Sequence, residues 1–254
     1  MVIAWVNFYF LHNGAPADNA QGGGKVGAAI FIFGSIITCA LALLISTPFS
    51  IASAIFMTEI SPGIGRKILQ PAVEIFVGIP SVVYGWIGLT ILVPFIKDLF
   101  DLKFGFSVLA AGIVLAVMIY PTITSLSADA IRSIPKSFRQ ASYGLGATRW
   151  QTISQVVIPA SKSGLMTAIV LGLARAFGEA LAVAMVIGKM KAFPESLLSP
   201  TTNLTAAIAS DMGGAMEGSE YNIALWSMAL LLFIISLVFI FIIHYISAKG
   251  GHKA

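Results

Sequence analysis

Residues 162–188 of the sequence read KSGLMTAIVLGLARAFGEALAVAMVIG and place two charged side chains, Arg175 and Glu179, within a long apolar stretch. A continuous helix over this stretch is about 40 Å long, which is enough to cross a bilayer. Each charge near its middle costs about 2.5–3.5 kcal/mol on insertion. The i,i+4 spacing puts both on one helix face. Ionisable residues at such depth usually line pathways, so we predict a substrate pathway at these two residues; the alternative is an ion pair that only fixes helix packing.

The composition excludes an ordinary soluble domain. The 254 residues are 57% hydrophobic and 10% charged, whereas soluble domains have about 25% charged residues. Too little polar surface remains to cover a globule in water, so lipid is the solvent for much of the chain. The net charge of +4 comes without a basic run interleaved with aromatic residues, so no nucleic-acid partner is expected. The single cysteine and three histidines show no metal-ligand spacing, and no metal or cofactor is predicted.

Apolar segments of about 20 residues predict an all-α polytopic membrane protein. The predicted transmembrane domain covers residues 26–248, with a short tail at 249–254 and, at 1–25, a tail or a shortened first helix. Prolines at 48, 80 and 121 are expected to kink the helices, and residues 65–78 are amphipathic and suit the membrane surface. The five predicted spans are residues 26–56, 80–96, 105–128, 162–188 and 222–247.

The charges between the spans predict the orientation, because basic loops stay in the cytoplasm. On one side lie the segments 59–79, 129–162 and the tail after 247, and on the other side the remaining connections. The first side carries Arg66, Lys67, Arg132, Lys136, Arg139, Arg149, Lys162, Lys249 and Lys253 against Glu59, Glu74 and Asp129. The other carries Lys25, Lys97, Lys103, Lys189 and Lys191 against Asp18, Asp98, Asp101, Glu195, Asp211, Glu217 and Glu220. We therefore predict a cytoplasmic C-terminus.

The long loop at 129–161 has helical periodicity despite its polar composition. Small residues recur every three or four positions, and Pro135 and Pro159 bracket the segment. A helical hairpin over residues 136–160, with a turn near Gly144 and Gly146, fits this pattern. The small residues and Trp150 favour a docking surface, and the alternative is an ordinary solvated loop.

The hairpin also carries a spaced motif. In order, its positions are Gln140, Ala141, Ser142, Gly146, Val156, Ile158 and Pro159. This spacing resembles the EAA motif of ABC importer permeases, E-A-A, three residues, G, nine residues, I-x-L-P. The resemblance implies that the hairpin couples to an ATPase. Gln140 stands in place of the glutamate and lacks its charge, so Arg139 or Arg149 is expected to supply a salt bridge to that ATPase.

Three further stretches, 78–89, 128–164 and 172–188, resemble the phosphate-specific ABC importer permeases, most of all the PstC-type subunit, with the PstA-type subunit as a close relative. The resemblance implies a type I (MetI-like) permease with a core of five transmembrane helices in the inner membrane. It implies as partners a PstA-type permease, two PstB-type ATP-binding subunits, an extracytoplasmic PstS-type phosphate-binding protein and membrane lipid. The chain is expected to have no ATPase site of its own, since GGGKV at 22–26 lacks the first glycine and the Ser/Thr of a phosphate-binding loop.

Arginine and glutamate at the predicted pathway suit phosphate. An arginine donates two parallel hydrogen bonds to phosphate oxygens and stays charged. The carboxylate of Glu179 is expected to neutralise Arg175 between turnovers and to accept a hydrogen bond from the P–OH group, which sulfate does not offer. Three rivals remain: a permease of the same type for molybdate or sulfate, an ATP-independent channel or carrier, which would not need the hairpin, and a structural or regulatory membrane protein. The segment 189–221 is expected on the outer side, either as a docking site for the binding protein or as a simple surface connection.

Overall fold

The computed structural model describes the backbone of residues 28–251, and their side chains except at positions 66, 220, 244 and 246–251. The tail predicted for residues 1–25 lies outside this range. Within residues 28–251 the regular structure is helical, and a single bridge pairs Gly188 with Thr201. The helices are α1 (Ala29–Ile60), α2 (residues 62–78), α3 (Ser81–Leu99), α4 (Val108–Arg132), α5 (Lys136–Gly144), α6 (Arg149–Ala160), α7 (Lys162–Gly178), α8 (Leu181–Val186), α9 (Leu204–Asp211) and α10 (Glu220–Gly251).

Four of these helices, α1, α3, α4 and α10, are long and apolar enough to cross a membrane. The fourth predicted span differs from the expectation of one helix over residues 162–188. Helix α7 has 17 residues and ends at Gly178, and α8 begins only at Leu181. Helices α6 and α7 together are long and apolar enough to cross a membrane, but they are bent by 67° at the break between them. Four of the five predicted spans therefore correspond to continuous helices, and the fourth, at 162–188, is divided into α7 and α8.

The three prolines act differently. Pro48 lies inside α1 and Pro121 inside α4, where each removes one backbone hydrogen bond from the helix. Pro80 instead occupies the N-cap of α3 with extended backbone angles, φ −59° and ψ 139°. The kink expected at Pro80 is therefore wrong, because this proline precedes the helix and lets it begin at Ser81.

The described chain packs as two units. The first comprises residues 28–42, 80–115 and 176–237, and the second comprises residues 43–79, 116–175 and 238–251. The first has a core of Phe31, Leu204, Ala207, Leu225 and Met228. The second has a core of Ala54, Met57, Ala128, Ile131, Val157 and Leu165. Each core draws on segments far apart in sequence, so each unit is held by tertiary packing of apolar helix faces.

The segment between α8 and α10 is only partly a surface connection. Residues 201–207 are all buried. The Asn203 side chain caps α9, because its Oδ1 accepts a hydrogen bond from Ala206 N–H at 2.8 Å. Gly34 of α1 lies so close to this segment that an added Cβ would stand 1.9 Å from the Thr202 carbonyl oxygen. The interpretation of 189–221 as a simple surface connection is therefore wrong for residues 201–207.

Candidate functional site

Glu179 lies at the break between α7 and α8. Its Oε1 accepts a hydrogen bond from Ala182 N–H at 3.0 Å, and its backbone carbonyl accepts one from Thr205 Oγ1 at 2.6 Å. A carboxylate near a helix N-terminus is favoured because it meets N–H groups that lack partners in the helix. The expected i,i+4 placement of Arg175 and Glu179 on one helix is wrong, since Gly178 has low helix propensity and Glu179 bonds to the next helix instead.

Arg175 lies in the last turn of α7 and is half-buried. Its Nη1 donates a hydrogen bond to Thr122 Oγ1 of α4 at 2.9 Å. None of the three ion pairs among the side chains that the structure describes includes Arg175. A guanidinium keeps its charge at any working pH. Arg175 therefore presents a positive charge that is held in place by a neutral group, an arrangement suited to binding an anion.

Hydroxyl groups from α1 and α4 lie in the same packing unit as Arg175. Ser53 Oγ is 2.8 Å from the Tyr120 hydroxyl oxygen, and Ser50 Oγ donates to the Tyr120 carbonyl at 3.1 Å. Ser46 and Ser50 are joined at 3.3 Å. These serines were not among the predicted site residues, although the spacing of positions 46, 50 and 53 at i, i+4 and i+7 indicates one polar face of α1. That face gives α1 and α4 polar contacts deep in an apolar unit.

The predicted hairpin is present as helices α5 and α6. Gly146 in the turn has a φ of +83°, which favours glycine. Thr148 and Gln151 then form a capping box at the start of α6. Ser142 and Thr152 join the two helices through a hydroxyl pair at 2.9 Å. The turn thus forms where the glycines predicted it.

Arg139 binds the end of α1. Its Nη2 donates to Glu59 Oε1 at 2.6 Å, and its Nε reaches Oε1 and Oε2 at 3.1 and 3.3 Å. It also donates to the carbonyls of Ile134 and Ile131 at 2.8 and 3.0 Å. The side chains of Arg139 and Glu59 are 18% and 9% exposed, so water screens the pair weakly. No local sequence pattern indicates this partner, which lies 80 positions away.

The Arg149 side chain contacts the backbone at the same end of α1. Its Nη2 donates to the carbonyl oxygens of Glu59 and Ile60. The two arginines that were expected to meet an ATPase therefore bind the chain itself in this structure. Their contact with an ATPase stays a prediction.

The other predicted coupling residues lie mostly on the hairpin surface. Gln140, Ala141, Gly146 and Pro159 are exposed, whereas Ser142 is half-buried. Large apolar side chains accompany them, with Leu145 90% exposed. The exposed apolar residues of the hairpin are Phe138, Tyr143, Leu145 and Trp150. A surface of this kind is typical of a protein–protein contact.

Lys191, Asp211 and Tyr221 form a polar cluster in the region that follows α8. Lys191 Nζ lies 2.9 Å from both the Asp211 carboxylate and the Tyr221 hydroxyl oxygen, and 4.7 Å from the centre of the Tyr221 ring. Burial lowers the pKa of Lys191, but hydrogen bonds with Tyr221 and Asp211 raise that pKa by more, so it lies above its ordinary value. The cluster ties the loop to α9 and to the start of α10.

Comparisons with known proteins agree with this architecture. A family model described as "Binding-protein-dependent transport system inner membrane component" matches residues 46–250. The probable ABC transporter permease protein YqgH of Bacillus subtilis strain 168 is 56% identical over 96% of this chain and 78% of its own length. The phosphate transport system permease protein PstC of Haemophilus influenzae is 37% identical over 84% of this chain and 73% of its own length.

A solved structure gives the fold. A chain from the inward-facing MetNI methionine ABC transporter matches with a TM-score of 0.64, 20% identity, and coverage of 87% of this chain and 96% of that chain. At that identity the likeness establishes the fold alone, which is the MetI-like type I permease predicted from the sequence. With the family model covering most of its length, the chain belongs to the inner membrane components of binding-protein-dependent transport systems, the permease subunits of ABC transporters.

Proposed function

We propose that this chain is the PstC-type permease subunit of an importer for inorganic phosphate. The observation that carries the proposal is Arg175, a guanidinium in the membrane domain that is held by Thr122 and has no carboxylate partner among the described side chains. The Haemophilus influenzae relative is named a phosphate transport system permease protein. An anionic substrate would supply the negative charge that the described surroundings of Arg175 do not provide.

As a permease of this family, the chain works with ATP-binding and substrate-binding components. We infer that the particular partners are a PstA-type permease, two PstB-type ATPases and an extracytoplasmic PstS-type phosphate-binding protein. The PstB-type subunits would dock on the exposed apolar residues of the hairpin, such as Leu145 and Trp150. The distribution of loop charges supports a cytoplasmic hairpin and C-terminus.

The proposed cycle is alternating access. ATP binding closes the ATPase pair beneath the hairpin, and the hairpin moves with it. Arg139 and Arg149 bind the end of α1, so that motion reaches a membrane-spanning helix. The pathway at Arg175 then opens outward and receives phosphate from the binding protein, and ATP hydrolysis returns it to the inward-open state.

Glu179 is assigned a part in selectivity. Its Oε1 bonds to the N–H of Ala182, which leaves the second carboxylate oxygen to accept a hydrogen bond. Hydrogen phosphate offers a P–OH donor and sulfate does not. On this proposal Glu179 favours the protonated oxyanion over sulfate.

The test is phosphate uptake by cells that lack their own high-affinity system and express this chain with its transporter partners. We expect uptake in the wild type and its loss in Arg175→Ala. Arg132→Ala is the matched control, because Arg132 lies at the exposed end of α4 and its hydrogen bonds within the described residues go to Gln70 and Asp129. Uptake of another oxyanion in place of phosphate would overturn the substrate. Unchanged uptake in Arg175→Ala, at equal membrane levels, would remove Arg175 from the pathway.

A further inference from the structure

The hydroxyl of Thr122 is used differently from those of other helical threonines. Five threonines donate their hydroxyl to the carbonyl four residues earlier in their own helix, namely Thr38, Thr58, Thr90, Thr124 and Thr167. Thr122 instead accepts a hydrogen bond from Arg175. Among the residues that the structure describes, its own hydroxyl proton has no acceptor. A half-buried O–H group in that state is a donor available to a ligand.

Close packing of α4 and α7 fixes this contact. A Cβ added to Gly172, one turn before Arg175, would lie 2.5 Å from Ile123 Cγ1. A Cβ added to Gly164 would lie 2.6 Å from the Ala130 Cβ. Two glycines on one face of α7 thus allow its backbone to approach α4 at two levels. This close approach of the two backbones brings the Arg175 side chain within hydrogen-bonding reach of Thr122.

We propose that Thr122 is a second anion-binding residue beside Arg175, and this inference rests on the proposed function. Thr122 Oγ1 accepts from Arg175 Nη1 and donates its proton to an oxygen of the bound oxyanion. With Nη1 held by Thr122, the edge formed by Nε and Nη2 faces the ligand and can donate two parallel hydrogen bonds. Thr122 thus both orients the guanidinium and adds a third donor to the phosphate.

The first test compares substitutions of Thr122 in the complete transporter. Thr122→Val keeps the side-chain shape without the hydroxyl, and Thr122→Ser keeps the hydroxyl. We expect the maximal phosphate uptake rate to fall about tenfold in the valine variant, equivalent to ~1.4 kcal/mol, and to stay within about twofold of wild type in the serine variant. Thr167→Val is the control, because Thr167 lies on α7 as Arg175 does, but its hydroxyl donates to a carbonyl of its own helix. We expect this substitution to leave uptake unchanged.

A second test reports binding without transport. Cys39 is the single cysteine of the chain, so Cys39→Ser provides a background in which Thr122→Cys is the only thiol of this subunit. We expect phosphate to slow the reaction of that thiol with a positively charged methanethiosulfonate reagent in the purified complex. Thr167→Cys in the same background should react at a rate that phosphate does not change.

The outcomes separate this inference from the proposed function. Equal uptake in Thr122→Val and wild type, or a Thr122→Cys reaction that phosphate does not slow, overturns the role of Thr122. Equal losses in the valine and serine variants also overturn it, because they indicate packing alone. If the wild type imports a different oxyanion, the proposed substrate is wrong. In that case a selective loss of that uptake in Thr122→Val supports the role of Thr122, and unchanged uptake overturns it.

Discussion

The Glu59→Ala substitution tests how the hairpin is attached to the membrane domain. Glu59 is the carboxylate partner of Arg139, and both side chains are largely buried. Arg149 does not depend on the Glu59 side chain, since it binds the backbone carbonyls of Glu59 and Ile60. The substitution therefore removes one ion pair and leaves the second attachment intact.

The expected cost follows from the charge that is left behind. Removing one partner of a buried ion pair typically costs about 3–5 kcal/mol, because the other charge stays buried without compensation. Arg139 keeps its hydrogen bonds to the carbonyls of Ile131 and Ile134, so we expect the lower end of that range. A loss of ~3 kcal/mol reduces the docked population of the hairpin relative to the undocked one by roughly 150-fold.

Hydrogen–deuterium exchange of residues 136–160 in the purified transporter measures this loss directly. We expect faster exchange in Glu59→Ala and less transport for each ATP hydrolysed, because the hairpin is then held to the end of α1 by Arg149 without the Arg139–Glu59 ion pair. Glu74→Ala is the control, since Glu74 is exposed and its hydrogen bond comes from Gln70 of the same helix. Exchange over 136–160 that is equal in the two variants would refute the reasoning.

Four further predictions concern the two packing units. Arg175→Lys should lower phosphate uptake about tenfold or more at equal membrane levels, because an ammonium lacks the planar fork of a guanidinium. Glu179→Gln should reduce the preference for phosphate over sulfate in competition assays, while its amide oxygen still caps α8. Gly172→Ala should lower the thermal unfolding temperature, since a methyl 2.5 Å from Ile123 overpacks the α4–α7 contact by about 1–3 kcal/mol. Because the pKa of Lys191 is raised, its ion pair should stabilise the segment 189–221 below the ordinary lysine pKa and lose that effect as pH rises through the raised value. Hydrogen exchange of residues 189–203 can follow this change.

The spans were predictable because their signal is local. Twenty apolar residues in a row identify a membrane helix whatever it packs against. Gly144 and Gly146 likewise predicted the hairpin turn, since a positive φ at position 146 is a local requirement.

The helix break at residue 179 was not predictable by the same reasoning. An apolar window with period 3.6 continues through residues 162–188, so hydropathy indicates one helix. One contact at the break comes from outside the window, since Thr205 donates to the Glu179 carbonyl. The other is the local hydrogen bond from Ala182 N–H to the Glu179 carboxylate, which hydropathy does not register. The burial of residues 201–207 was missed because Thr201, Thr202 and Asn203 are polar, and polar residues in a connection usually indicate an exposed loop. In the structure Thr201 donates to the Ala192 carbonyl, and Asn203 caps α9.

Arg139 and Arg175 show why the partner, and not the residue type, decides the role of a buried arginine. Arg139 meets a carboxylate and two carbonyls, so its charge is compensated within the chain, and on the proposed function it attaches the hairpin to α1. Arg175 meets a hydroxyl oxygen, which accepts a hydrogen bond but carries no charge. The free-energy cost of burying that cation in the membrane domain is thus offset only weakly by the described part of the chain. On the proposed function, a bound anion compensates the positive charge. A substitution that supplies an internal carboxylate in place of the hydroxyl, Thr122→Asp, should therefore abolish phosphate uptake while leaving the protein in the membrane, and uptake that survives it would show that Arg175 compensates no substrate charge.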